Sequence, residues 1–124
     1  MTNEQPRTWT QAFATIATAN ELTPPEWLAK PMGVLRTPTV LGRFVTMKRR
    51  MVKGQEATDA GVLFSFWTET DEPSRLAASV RRPLYPDDTE AAPMLTAITG
   101  WLHDQWTASQ VATTLGAVAE PQMH

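Results

Sequence analysis

Apolar residues recur every three or four positions at the two ends of this chain and every second position through its middle. The first spacing lines one side of a helix and the second one face of a strand. Thr8-Trp9-Thr10-Gln11 has the form of a capping box. The helix it opens carries Phe13, Ile16 and Ala17 on one side and is expected to end near Asn20. Thr23-Pro24-Pro25-Glu26 is a second start signal, with proline where a helix needs no N–H. It predicts a short helix that presents Trp27 and Leu28 and stops at Pro31.

Strand patterning begins at Val34 and Leu35, read as a short edge strand because Pro38 does not suit a central one. From Arg43 to Lys53 one face reads Val45, Met47, Arg49, Met51 and the other Phe44, Thr46, Lys48, Arg50, Val52. That alternation is imperfect, so the far half is expected to project beyond the core. After the loop GQEATDAG, Val62, Phe64 and Phe66 occupy one face and Leu63 and Trp67 the other. Apolar residues on both faces predict a central strand covered on each side. Past the turn TDEPS, Leu76, Ala78 and Val80 alternate with Arg75, Ala77, Ser79 and Arg81, a strand wet on one side.

Pro83 and Pro86 close the strand region, and Asp87-Asp88-Thr89-Glu90 opens a helix with acids at its positive end. Its apolar stripe is Leu95, Ile98 and Leu102, with Trp101 alongside. Thr107-Ala108-Ser109-Gln110 is another capping box, opening a final helix through Val111, Leu115 and Val118. The expected fold is α+β, with N-terminal helices, a three- to four-stranded antiparallel sheet, and C-terminal helices packed on the sheet. One domain spans residues 1–124, with its core at about 8–118 and frayed termini. In outline this order is similar to a double-stranded-RNA-binding domain, and to the α/β chaperones of type III secretion and their non-secretory relatives. Element order is shared by unrelated functions and assigns neither.

Composition narrows the chemistry. With no cysteine among 124 residues, thiolate nucleophiles, thiolate metal sites and disulfides are excluded. Neither a secretory leader nor an 18-residue apolar span is present, so a cytoplasmic protein without a membrane partner is expected. The net charge of −2 conceals segregation: seven basic residues and no acid lie between Lys30 and Lys53, and five acids with no lysine or arginine between Asp87 and His124. Such blocks face each other within a fold or dimer as readily as they attract a partner.

Catalytic candidates are few. His103 and Asp104 are neighbours on a helix and point about 100° apart, which does not build an oriented base. Asp71 with Glu72, and Asp87 with Asp88, suit turns and helix starts. There is no phosphate-cradling glycine loop, nucleophile elbow or metal spacing, and no cofactor, metal or catalytic residue is assigned. Four basic residues crowd positions 48 to 53. A nucleic-acid site would use Lys48, Arg50, Lys53 and Arg81 to neutralise phosphates. Against it, Arg49 and its neighbours point to opposite faces, acids open the later helix, and the chain is slightly acidic overall. Lysine and arginine also blunt exposed strand edges.

Five tryptophans are many for this length, and Trp101 and Trp106 cannot share one helical stripe equally. Tryptophan often anchors protein partners. The sequence therefore reads as a non-enzymatic protein-interaction module, chaperone-like or an accessory subunit, and as a homodimer. Its partner-binding residues would be Leu63, Trp67, Trp101 and Trp106. The alternatives are the basic-hairpin nucleic-acid binder and an enzyme or enzyme subunit whose pocket the sequence does not display.

Overall fold

Three capping boxes open the three helices. In the computed structural model, which describes residues 7–49, 51–52, 55–56, 61–69, 74–116 and 118–119, Thr8, Asp87 and Thr107 each accept the backbone N–H three residues on. Gln11, Glu90 and Gln110 return the bond to the cap's own N–H. These reciprocal bonds start α1 (Trp9–Ala19), α2 (Asp88–Leu102) and α3 (Ala108–Leu115). Asn20 and His103 cap the first two at their C-terminal ends, and Gly116, at φ 63°, ends α3.

The Asp87 cap favours its ionised form. The Thr89 hydroxyl donates to its carboxylate at 2.6 Å and the Glu90 N–H at 3.0 Å, and these bonds hold its pKa below the ordinary aspartate value. A lowered folded-state pKa gives stability that is complete above the unfolded value and lost as pH falls through the folded one. We expect Asp87→Ala to lower the melting temperature at about pH 6, and the gap from wild type to shrink steadily below about pH 4. An equal gap at both pH values would show that the charged form plays no part.

The strands are β1 (Leu28–Lys30), β2 (Val34–Arg36), β3 (Arg43–Arg49), β4 (Met51–Val52), β5 (Gln55–Glu56), β6 (Val62–Thr68), β7 (Arg75–Arg82) and β8 (Val118–Ala119). Six form one antiparallel sheet in the order β1-β2-β3-β6-β7-β8, and β4 pairs with β5 as a separate two-stranded piece. The α+β class is as expected, and the sheet is wider than expected. The extra strand on one side is Leu28–Lys30, the segment expected to be helical. A helix of so few residues is marginal by itself, whereas here Leu28, Ala29 and Lys30 gain partners in Arg36, Leu35 and Val34 across the turn Pro31–Gly33. Val34–Arg36 is therefore an inner strand. The extra strand on the other side is Val118–Ala119, which Gly116 releases from α3 to pair with β7.

All three helices pack on one face of the sheet. Val45, Phe66 and Ala78 form one row of that inner face, and Met47, Phe64 and Val80 the next. Trp9 and Phe13 of α1 meet the Phe64 ring, and Trp101 of α2 meets Phe66 edge-on at 6.1 Å. Val111 and Leu115 of α3 complete the core. The stripe of α2 is centred on Leu95, Ile98 and Trp101, with Leu102 only half-buried. Thr37, fully buried, closes the sheet beside β3: its Oγ1 accepts the Val45 N–H at 2.9 Å.

Candidate interaction surface

Among the described residues no helix lies over the opposite face of the sheet. Strand alternation and pairing place three rows of side chains there. Lys30, Val34, Lys48, Leu63 and Arg81 are successive cross-strand partners and form the first row. Leu28, Arg36, Thr46, Ser65 and Ser79 form the second, and Phe44, Trp67 and Leu76 the third.

Leu76 reaches this face through an irregularity. The β6–β7 register shifts between Phe66 and Trp67, so Ala78 opposes Phe66 while Leu76 opposes Trp67. The clean alternation of Leu76 with Ala78 and Val80 therefore does not hold, because a bulge sends residues two apart to opposite faces. Nor is β6 covered on both sides. Its inner residues Val62, Phe64 and Phe66 are buried, while Leu63 and Trp67 stay half-exposed.

The third row is braced from within. Phe44 and Trp67 lie nearly parallel, 5.9 Å apart, and the Arg36 guanidinium covers the Phe44 ring at 3.9 Å. Phe44 is left 5% exposed, with a neighbour on each ring face. The Trp67 indole donates to Thr46 Oγ1 at 2.9 Å. Arg36 pairs with Glu69 at 3.2 Å and donates to Thr39 Oγ1 at 2.6 Å. This network fixes the ring positions and leaves Trp67 and Leu76 as the accessible apolar contribution.

The four expected partner-binding residues are not brought together. Leu63 and Trp67 share the outer face, whereas Trp101 and Trp106 lie on the helix side. Trp101 is 1% exposed, its Nε1 donates to the Trp67 carbonyl at 3.1 Å, and Arg43 stacks on its ring at 4.0 Å. Trp106 packs on α2 so closely that a Cβ on Gly100 would stand 2.5 Å from its ring. Arg43 also donates to the Trp106 carbonyl at 2.6 Å and pairs with Asp104 at 2.9 Å. The two tryptophans thus lock the α2–α3 turn, and Trp101 offers a partner almost no surface.

Of the four candidate phosphate contacts, Lys48 and Arg81 flank Leu63 in the first row. Arg50 and Lys53 lie outside the described residues. Lys30 and Arg36 belong to the same surface, although the sequence places them only in the basic block and in no candidate site. Their signal is a spacing of two from Leu28 and from Val34, which puts each pair on one face of a strand and which the short helix expected before Pro31 does not share.

His103 caps α2 through its backbone, and Asp104 is engaged by Arg43, so the two form no dyad. Among the described residues no group of three or more His, Cys, Asp or Glu side chains could hold a metal ion. No helix there is long and apolar enough to cross a membrane. A cleft of about 190 Å³ opens between the start of α1 and the sheet, walled by Trp9, Leu35, Met47 and Leu84 with Arg49 and Tyr85 at its lining. Among the described residues no carboxylate or histidine lines it.

No protein-family model, curated protein or solved structure matches the chain, so its own geometry is the ground on which a function is argued.

Proposed function

We propose that the chain is a non-enzymatic protein-interaction module, chaperone-like or an accessory subunit, which presents the outer face of its sheet to a partner. The supporting observation is the one-sided packing: helices bury the inner face, while Leu63, Trp67 and Leu76 remain half-exposed on the outer one. A solvated face of an antiparallel sheet is ordinarily polar. An aromatic residue held rigid by stacking and a hydrogen bond contacts a partner at little entropic cost.

The size of this face bears on the partner. Five strands about 4.8 Å apart, crossed by three rows, offer about 400 Å². A stable protein–protein interface takes about 800 Å² from each side. The surface suits one segment of a partner better than a second copy, and we expect light scattering at micromolar concentration to give the monomer mass of 13.8 kDa. A concentration-independent dimer would reassign the face to self-association.

Photo-crosslinking in the native host tests the reading itself. A benzoylphenylalanine placed at Leu63 or at Ser79 should capture one and the same protein, identified by mass spectrometry. The same probe at Thr113, exposed on α3, should not. Capture of the same protein from Thr113 and Leu63 alike, or none from the outer face, would refute the assignment.

A further inference from the structure

We infer that the outer face takes an acidic amphipathic helix, an inference that rests on reading that face as a protein-binding surface. The first row alternates cation and aliphatic: Lys30, Val34, Lys48, Leu63, Arg81. Lys30 to Lys48 spans two strand spacings, and so does Lys48 to Arg81. At about 4.8 Å per spacing, successive cations stand about 10 Å apart with an aliphatic side chain midway.

A partner complementary to this row repeats carboxylates every 10 Å and places apolar groups between them. Residues seven apart on a helix lie about 10.5 Å apart on nearly the same side, with positions three and four between them. Same-face residues of an extended strand repeat every 6.8 Å or so, which does not match.

Charge supports the sign of the partner. No residue whose strand position faces this side is acidic, and Glu69, at the end of β6, is held by Arg36. Lys30 and Lys48 are exposed, and among the described residues no carboxylate pairs with either. Edge protection accounts for Lys30 on β1, but Lys48 stands on β3, flanked by β2 and β6, where no edge needs blunting. Meanwhile Asp87 and Glu90, at the start of α2 in the helix layer, pair with no lysine or arginine among the described residues and steer an acidic segment away from that side.

The two kinds of polyanion are separated by what lies between the cations. Val34 and Leu63 offer apolar contact to leucine-like side chains and nothing to a sugar–phosphate backbone. A base seeking a stacking platform finds Phe44 buried beside Arg36 and Trp67, which leaves the half-exposed Trp67 ring as a single stacking position rather than a run of them.

The test is fluorescence anisotropy with three labelled probes. The first is a helical peptide with glutamate at every seventh residue and a leucine pair midway. The second has lysine in place of each glutamate, and the third is oligouridylate. We expect the glutamate peptide to bind the full chain, more weakly as salt rises, and the lysine peptide not to bind. Lys30→Gln and Lys48→Gln should each weaken binding up to about fivefold, the upper limit for an exposed ion pair. Together they should weaken it up to about 25-fold, because sites about 10 Å apart act additively. Both are exposed substitutions, and circular dichroism confirms the fold. Equal binding of both peptide signs, or unchanged affinity in the double variant, would overturn the inference. Tighter binding of oligouridylate would hand the face to nucleic acid. If the glutamate peptide fails while crosslinks from Leu63 and Ser79 persist, the partner class is wrong and the interaction reading stands.

Discussion

Trp101→Ala should cost about 3–5 kcal/mol, the range for emptying a fully buried aromatic site. Whole-domain stabilities run at about 5–15 kcal/mol, so the variant will be poorly folded at moderate temperature. Three losses combine. The ring gives up its edge-on contact with Phe66, and Arg43 gives up the π-face it covers at 4.0 Å. The Trp67 carbonyl loses its 3.1 Å donor from the indole, a part-buried hydrogen bond worth about 0.5–1.5 kcal/mol net. With a urea slope of about 2 kcal/mol per molar, the unfolding midpoint should fall by about 2 M. Trp67→Ala is the comparison: its ring is half-exposed, and the expected loss stays below about 2 kcal/mol while outer-face binding suffers. A Trp101→Ala protein within 1 kcal/mol of wild type would place that tryptophan at a surface.

Gly61→Ala should lower the melting temperature by about 10 °C or more, at about 3–5 °C per kcal/mol for a chain of this size. Gly61 sits at φ 68°, where a Cβ costs about 1–2 kcal/mol. That Cβ would also fall on the backbone carbonyl of Arg82, and overpacking of this kind adds about 1–3 kcal/mol. The collision lies where β6 begins against the end of β7, since Val62 pairs with Arg82, so relief requires the two strands to part. Gly116→Ala separates the two effects. Gly116 is at φ 63° with nothing within 4 Å of where its Cβ would stand, so only the conformational cost remains. Equal shifts for the two glycines would show that the Arg82 carbonyl yields freely.

These two sites also mark how far the residues could be read without the fold. Trp101 could be placed on a helix from its spacing to Leu95 and Ile98. Its burial depended on Phe66 and Arg43, residues 35 and 58 positions away. Gly61 carried no visible signal, because its constraint comes from the carbonyl of a residue 21 positions later.

The sequence by itself determined where the helices begin. The bonds of a capping box close within three residues, and Thr8, Asp87 and Thr107 each have the glutamine or glutamate they need. It determined as well that Val62, Phe64 and Phe66 share one face, since they follow a period of two that the local backbone enforces. Tertiary structure alone decided the rest. Leu28–Lys30 became a strand because Val34–Arg36 was there to pair with it. Leu76 joined Trp67 because the β6–β7 register slips at one point. Lys30, Lys48 and Arg81 joined one row because β1, β3 and β7 lie in the same sheet. Each of these outcomes is set by cross-strand pairing or by which face the helices cover, and neither can be read from the spacing of residues within a single segment.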